Sequence, residues 1–258
     1  MIDPLPTLAG RVVLVTGASR GLGRGYALDL AARGAAIAAV GRDAGRLESL
    51  VAEIEAAGGR AVALPGDVSE PDAAERMLAG AQEALGPLDA LVNNAGVNRD
   101  RTVAKMSDEE WREVLSVSLD GTFFTCRAAV REWRAAGRGG RIVNTASGAG
   151  LYGSFGQANY SAAKAGVIGF SLALAREVAP HGITVNVVSP RARTDMTEGI
   201  PDDRRDAFYG HQARTNTLGR VGEVEDVAPV IAFLCSAESA YVTGQSIFVG
   251  GTPGSAIG

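Results

Sequence analysis

Short apolar runs alternate along the chain with longer stretches of helical periodicity. The runs are Arg11 to Thr16, Ala36 to Val40, Ala61 to Leu64, Leu88 to Val92, Arg141 to Thr145, Ile183 to Val188 and Ser246 to Val249. The first reads R-V-V-L-V-T, apolar at successive rather than alternate positions, as a strand buried on both faces requires. Helical patterns fill the gaps. One continues from the turn after Thr16 through Arg33. A second covers Asp43 to Ala57 and stops at Gly58-Gly59, and a third covers Glu70 to Leu85. Ser107, with Glu110 at the capping-box position, opens a long helix toward Ala135, with a weak point expected at Gly121. A further helix carries Tyr160 and ends near Ala179, and the last covers Glu223 to Cys235. Strands alternating with helices predict βαβ units and an α/β fold with a parallel sheet, and right-handed crossovers place helices on both of its faces. Residues 190–220 are polar, Arg-rich and too long for an ordinary connection, which suggests a substrate lid beside the strand ends.

Composition narrows the field. With 258 residues, 46% hydrophobic and 34 glycines, a single domain, residues 1–258, is expected. A net charge of −4 leaves no electrostatic footprint for nucleic acid. No apolar run approaches the ~20 residues of a membrane span. The opening M-I-D-P-L-P-T-L lacks a basic segment followed by an apolar core, so no secretory signal is expected. Cys126 and Cys235 fall in helical patterns and read as small buried apolar residues, not a disulfide. These readings together predict a cytoplasmic protein.

The candidate chemistry lies between Arg141 and Lys164. A strand runs into a small-residue loop carrying Ser147, and the helix that follows holds Tyr160 and Lys164. Residues four apart share a helix face, so phenol and ammonium point into one space. A phenol has a reference pKa of about 10, and bringing it to about 7 takes roughly 4 kcal/mol of differential stabilisation. Lys164 together with a cationic oxidised nicotinamide acts in that direction. The Ser147 hydroxyl is placed to steady a substrate carbonyl oxygen as charge develops. The set suits moving a proton at oxygen while hydride moves at carbon.

The turn T-G-A-S-R-G-L-G, Thr16 to Gly23, joins the first strand to the first helix, where backbone N–H groups and a helix N-terminus accept a pyrophosphate. Its spacing differs from G-x-G-x-x-G. The second strand ends Val40-Gly41-Arg42. Arg42 with Arg20 suits the 2′-phosphate of NADP(H), and Asp43 beside it leaves NAD(H) open. Asp67 and Val68 follow the third strand and suit adenine contacts, while Asn93-Asn94-Ala95-Gly96 follows the fourth.

In their order and spacing, T-G-A-S-R-G-L-G, G-D-V, N-N-A-G, Ser147, Y-S-A-A-K and the V-T-G-Q segment at Val242 to Gln245 resemble the short-chain dehydrogenase/reductase family. The resemblance covers about Leu8 to Gly251 and is closest to 3-oxoacyl thioester reductases and related hydroxyacyl dehydrogenases. It implies a Rossmann-type doubly wound sheet of seven parallel strands, usually in a homotetramer. It also implies Tyr160 as acid/base, Ser147 orienting the carbonyl, and Lys164 holding the nicotinamide ribose and lowering the Tyr160 pKa. Three departures stand out. Val117-Ser118-Leu119 puts Ser118 where the family has Asn, whose main-chain carbonyl holds a water in a proton relay from the lysine. Pro190-Arg191 replaces a P-G pair, so that P-R-A-R-T-D-M-T carries Arg191 and Arg193, which either grip an anionic phosphopantetheine or CoA group or are solvated. Val249-Gly250-Gly251 replaces V-D-G-G. The expected catalytic set is Ser118, Ser147, Tyr160 and Lys164. Cofactor contacts are expected from Gly17, Ser19, Arg20, Gly21, Leu22 and Gly23 in the first turn. Arg42, Asp67, Val68, Asn94, Ala95 and Gly96 follow, and then Pro190, Arg193, Thr194 and Met196, besides Tyr160 and Lys164. Val97, Tyr152, Phe155, Gln157 and Arg191, with Ser147, are expected to line the substrate site. His181 and His211 read as surface residues, and no metal-ligand cluster is present in the sequence.

The expected function is NADP(H)-dependent reduction of a ketone, plausibly a 3-oxoacyl thioester. The alternatives are NAD-dependent oxidation of a secondary alcohol on a steroid, sugar or polyketide, and a non-catalytic NADPH-binding regulator.

Overall fold

The structure is a computed structural model that describes residues 7–193, 209–214 and 216–251. Seven strands form one sheet: β1 (Val12–Thr16), β2 (Ala36–Gly41), β3 (Arg60–Pro65), β4 (Ala90–Asn93), β5 (Gly140–Thr145), β6 (Ile183–Pro190) and β7 (Ser246–Val249). Their order is β3-β2-β1-β4-β5-β6-β7, with every pairing parallel. The order reverses between β1 and β4, so the connections leaving those two strands diverge and open a crevice at their carboxyl ends.

The helices are α1 (Gly21–Ala32), α2 (Ala44–Ala56), α3 (Ala73–Leu85), α4 (Asp108–Leu115), α5 (Gly121–Ala135), α6 (Gly148–Tyr152), α7 (Ala158–Val178) and α8 (Val224–Cys235). Side chains alternate across a strand, so β1 feeds two cores. Val12 and Leu14 pack with residues of α3, α5 and α7. Val13 and Val15 pack on the other face with residues of α1, α2 and α8. Cys126 and Cys235 are buried free thiols, both pushed up to about 12 by burial.

Several boundaries differ from expectation, each for a local reason. α3 starts at Ala73, not Glu70, because Pro71 disfavours helical backbone at the residue before it. The long helix is two helices joined by a π-turn at Ser116–Asp120. Gly121 is a close-packing position rather than a weak point: a Cβ there would stand 2.7 Å from a Val68 methyl. Both halves of the Ser107–Glu110 capping box form. β6 continues to Pro190 because Ser189 and Pro190 pair with Phe248 and Val249 of β7. The loop after β5 contains the short helix α6, capped by Ser147. Most of the expected lid, residues 194–208 and 215, lies outside the described residues. No helix among those described is long and apolar enough to cross a membrane.

Candidate active site

A cleft of about 900 Å³ runs across the carboxyl ends of the strands. Its floor begins at the turn after β1. Gly17 has φ +68°, and a Cβ on it would stand 2.9 Å from Ala95 Cα. A Cβ on Gly23 would stand 2.2 Å from the Gly17 carbonyl oxygen. Two loops and a helix thus meet where only hydrogen fits. Thr16, buried beneath them, accepts from the backbone N–H groups of Asn94 (3.0 Å) and Ala95 (3.1 Å). These two bonds tie the T-G-A-S and N-N-A-G segments together. At the N-terminus of α1 the cap residue Arg20 makes no side-chain capping bond, and the first turn holds no acid. Its N–H groups and positive dipole end are available to an anion, and Ser19, Arg20, Gly21 and Leu22 line the cleft there.

Arg42 lies at the far end of the cleft with Asp67 3.7 Å away, and Val68 and Gly66 complete that wall. Arg46, in the first turn of α2, lines the same end. Sequence reading missed it, although its i+4 spacing from Arg42 was visible. Asp43 is already engaged. It caps α2 by accepting from Arg46 N–H at 3.0 Å and pairs with the Arg46 guanidinium at 3.3 Å.

At the other end Ser147, Tyr160 and Lys164 line one wall. Ser147 leaves β5 in extended backbone, and its hydroxyl accepts from Ala149 N–H at 3.2 Å. Tyr160 is buried, and Lys164 more so, with its ammonium donating to the Thr145 carbonyl at 2.8 Å. The Lys164 Nζ stands 5.7 Å from the Tyr160 ring centroid. The phenol is not acidified in this arrangement. Burial pushes it up to about 12; the Ser147 hydroxyl beside it acts in the opposite direction, and Asp100 adds to the rise. Burial also brings Lys164 down to about 8. In the cofactor-free chain desolvation outweighs a cation whose hydrogen bond goes to a strand carbonyl; the expected lowering invokes an oxidised nicotinamide as well.

The start of α7 is strapped to the loop after β4. Gln157 donates to both Asp100 oxygens at 3.1 Å, and Asn159 donates to the carbonyls of Arg99 (3.0 Å) and Glu110 (3.3 Å). Beneath the cleft lies a buried polar chain that sequence reading also missed. Thr125 donates to Asn93 (2.7 Å), Asn93 to Asn144 (2.9 Å) and Asn144 to Ser171 (2.8 Å), two turns past Lys164 on α7. The only sequence signal was an amide inside an apolar strand. Asn144→Ala removes a partner of Asn93 and of Ser171, though Ser171 keeps the Val167 carbonyl and Asn93 keeps Thr125, so a loss of about 1–3 kcal/mol is expected in urea unfolding.

The structure brings Val97, Tyr152, Gln157, Asn94, Ala95, Gly96, Pro190 and Arg191 to the cleft. Ser118 lies just behind it, next to Gly96. Phe155 is not brought there. It is 94% exposed on a turn whose flanking Gly153 and Gly156 both have φ +76°. Arg193 also turns away, pairing with Glu223 at 2.9 Å and covering the Tyr209 ring at 4.5 Å. Thr194 and Met196 lie outside the described residues. His181 and His211 are both exposed, as read from the sequence, and His211 also lines the cleft. No cluster of three or more metal-ligating side chains occurs among the described residues.

A nucleotide cradle at the sheet's switch point, with Ser147, Tyr160 and Lys164 on the adjoining wall, defines an oxidoreductase of the α/β dinucleotide-binding type. The sequence profile of the short chain dehydrogenase family matches residues 11–205, and the chain belongs to that family. It is 42% identical over 243 residues to the 3-oxoacyl-acyl-carrier-protein reductase FabG of Escherichia coli K12, covering 94% of this chain and 96% of that one. It is 41% identical over 246 residues to FabG of Pseudomonas aeruginosa, covering 95% and 98%. Among solved structures it is similar to a dehydrogenase/reductase of Sinorhizobium meliloti 1021, with a TM-score of 0.85, 38% identity and 94% of each chain covered. A short-chain type dehydrogenase/reductase of Mycobacterium marinum gives a TM-score of 0.88 at 34% identity, with 94% and 95% covered. The chain is thus an oxidoreductase acting on alcohol or ketone groups.

Proposed function

We propose that the chain reduces a 3-oxoacyl thioester to the 3-hydroxyacyl thioester with NADP(H). One observation carries this reading: a buried, neutral Tyr160 beside Ser147 and Lys164, in the same cleft as the Gly17–Gly23 cradle. The residues fit a dinucleotide. The cradle excludes side chains where a backbone-hugging pyrophosphate would lie, and the α1 N-terminus offers unpaired donors. Bound there, NADPH would supply a hydride for the carbonyl carbon. Ser147 donates a hydrogen bond to the carbonyl oxygen and holds it near the phenol. Tyr160 gives its proton to that oxygen as negative charge builds. Lys164, charged below about pH 8, stabilises the tyrosinate left behind. Arg191 and His211, at the mouth, suit the anionic end of a carrier-bound substrate.

Arg20, Arg42 and Arg46 together favour a 2′-phosphate. Asp43, the residue that would favour NAD(H), is committed to capping α2. Arg42→Ala should weaken NADPH about 10- to 100-fold, as expected for one charge-assisted contact, and leave NADH within about twofold. Fluorescence titration of both nucleotides checks this. The function itself is tested by NADPH oxidation across a panel of 3-oxoacyl thioesters, free 3-oxo acids and small ketones. Preference for the thioesters supports the reading, and no thioester turnover with brisk ketone turnover opposes it. A single cytoplasmic domain, working as a homotetramer with a lid at about 190–220, belongs to the same proposal. Exposed Phe123 and Leu172 on α5 and α7 suit burial between subunits, which sedimentation measures.

A further inference from the structure

Asp100 carries a negative charge at the substrate end of the cleft, which it lines together with Ser147, Gln157 and Tyr160. The backbone on either side of it is pinned to the segment that opens α7. The Arg99 carbonyl accepts from Asn159 at 3.0 Å, and the Arg101 N–H donates to the Gly156 carbonyl at 2.8 Å. The carboxylate itself is held by a neutral group, the Gln157 side-chain amide, at 3.1 Å to each oxygen. No cation among the described residues pairs with it: Arg99 turns to Glu113 at 2.6 Å and Arg101 to Glu110 at 3.3 Å. The charge therefore stays uncancelled, and it reaches the Tyr160 hydroxyl, where it opposes ionisation. It also opposes the charge that builds on the oxygen of any ketone held there, so its presence asks for another use.

We propose that Asp100 is a specificity-determining residue that turns away ketones bearing a carboxylate beside the reacting centre, so that the site takes 3-oxo thioesters and esters and refuses free 3-oxo acids. In a 3-oxo acid the carboxylate carbon is two bonds from the ketone carbon. A ketone held at Tyr160 brings that carboxylate within reach of the same charge, whichever way the chain runs. A thioester is neutral at that position, and the phosphate of a carrier arm lies many bonds further out. Like charges brought together select against the wrong substrate without adding a contact to the right one. Lys164, on the same wall, and Arg191, at the end of β6, are cations that attract the acid instead. Both stay in place when residue 100 alone is changed, so the contribution of the carboxylate can be isolated. The inference rests on the proposed reduction of 3-oxoacyl thioesters and names what that site excludes.

The test is kcat/KM with NADPH for one 3-oxo acid, its methyl ester and its thioester, at low salt and neutral pH. Asp100→Asn removes the charge but keeps the shape and an oxygen for Gln157. The acid-to-ester ratio should rise about three- to tenfold in that variant, the scale of one like charge acting through partly solvated space. Asp100→Glu keeps the charge on a longer stem and should leave the ratio within about twofold of the wild type. Salt at about 0.5 M should lift the wild-type ratio toward that of Asp100→Asn and leave the variant's ratio in place. An unchanged ratio in Asp100→Asn overturns the proposal, and so does refusal of the acid by both proteins. A ratio that rises equally in Asp100→Glu also overturns it, because shape and not charge is then at work. Turnover of the methyl ester without turnover of the thioester would defeat the proposed function, and the acid-to-ester ratio would still decide the role of Asp100.

Discussion

Tyr160→Phe is expected to lower the rate of thioester reduction by about 10³- to 10⁴-fold, near the upper end of what a positioned acid supplies. The change removes one oxygen from a buried ring and leaves its packing in place. Burial holds the phenol protonated, up to about 12, so at neutral pH it carries the proton that reduction needs. Phenylalanine has no proton to give, and Ser147 alone orients the carbonyl without neutralising it. NADPH affinity should change less than about threefold, because the cradle at Gly17–Gly23 and the arginines are elsewhere in the cleft. Stopped-flow absorbance for hydride transfer, together with fluorescence titration of NADPH, measures both quantities. An unchanged transfer rate would remove Tyr160 from the chemistry.

Lys164→Met should trade activity for stability. The folded chain holds this amine at about 8 against a usual 10.5. At about 1.36 kcal/mol per unit, that is roughly 3 kcal/mol against the folded state at neutral pH. The methionine leaves the Thr145 carbonyl without its donor, which costs about 1 kcal/mol, so a net gain of about 2 kcal/mol is expected, or about 4 to 8 °C in Tm. The sign follows from proton binding. Below about pH 8 the amine is charged in both states, and the cost of burying it is fully present. Between about 8 and 10.5 the unfolded chain binds a proton that the folded one has shed, so wild-type stability rises with pH. Above 10.5 both states are neutral, and the advantage of the variant disappears. Thermal melts of both proteins from pH 7 to pH 11 measure this, and reduction should fall by at least about 100-fold.

The sheet was legible because strands buried on both faces must be apolar at successive positions; β1 and β2 are, while β5 and β6 are interrupted by Asn144 and by Thr184 and Asn186. The active-site wall was legible because Ser147, Tyr160 and Lys164 lie on one strand–loop–helix unit, where local spacing fixes relative placement. What was not legible depends on packing between distant segments. The π-turn at Ser116–Asp120 reads as ordinary helix, S-V-S-L-D, since nothing in its composition marks the extra residue. Phe155 sits among true cleft residues in sequence, but the turn between Gly153 and Gly156 carries it outward. Asn144 and Ser171, 27 residues apart, find each other only in the core. Spacing reveals a cation beside Tyr160 but not the depth at which both groups are buried, and in the cofactor-free chain burial raises the phenol.

The central claim is that a protonated phenol, helped by a charged lysine, delivers the proton during reduction. The measurement that tests it most directly is the pH dependence of kcat/KM for reduction of a 3-oxoacyl thioester by NADPH. Flat rates through neutral pH, with one descending limb near 8 as Lys164 loses its charge, are the expected result. Rates that climb as pH rises through 8 would mean the phenolate is the working form, and would contradict it.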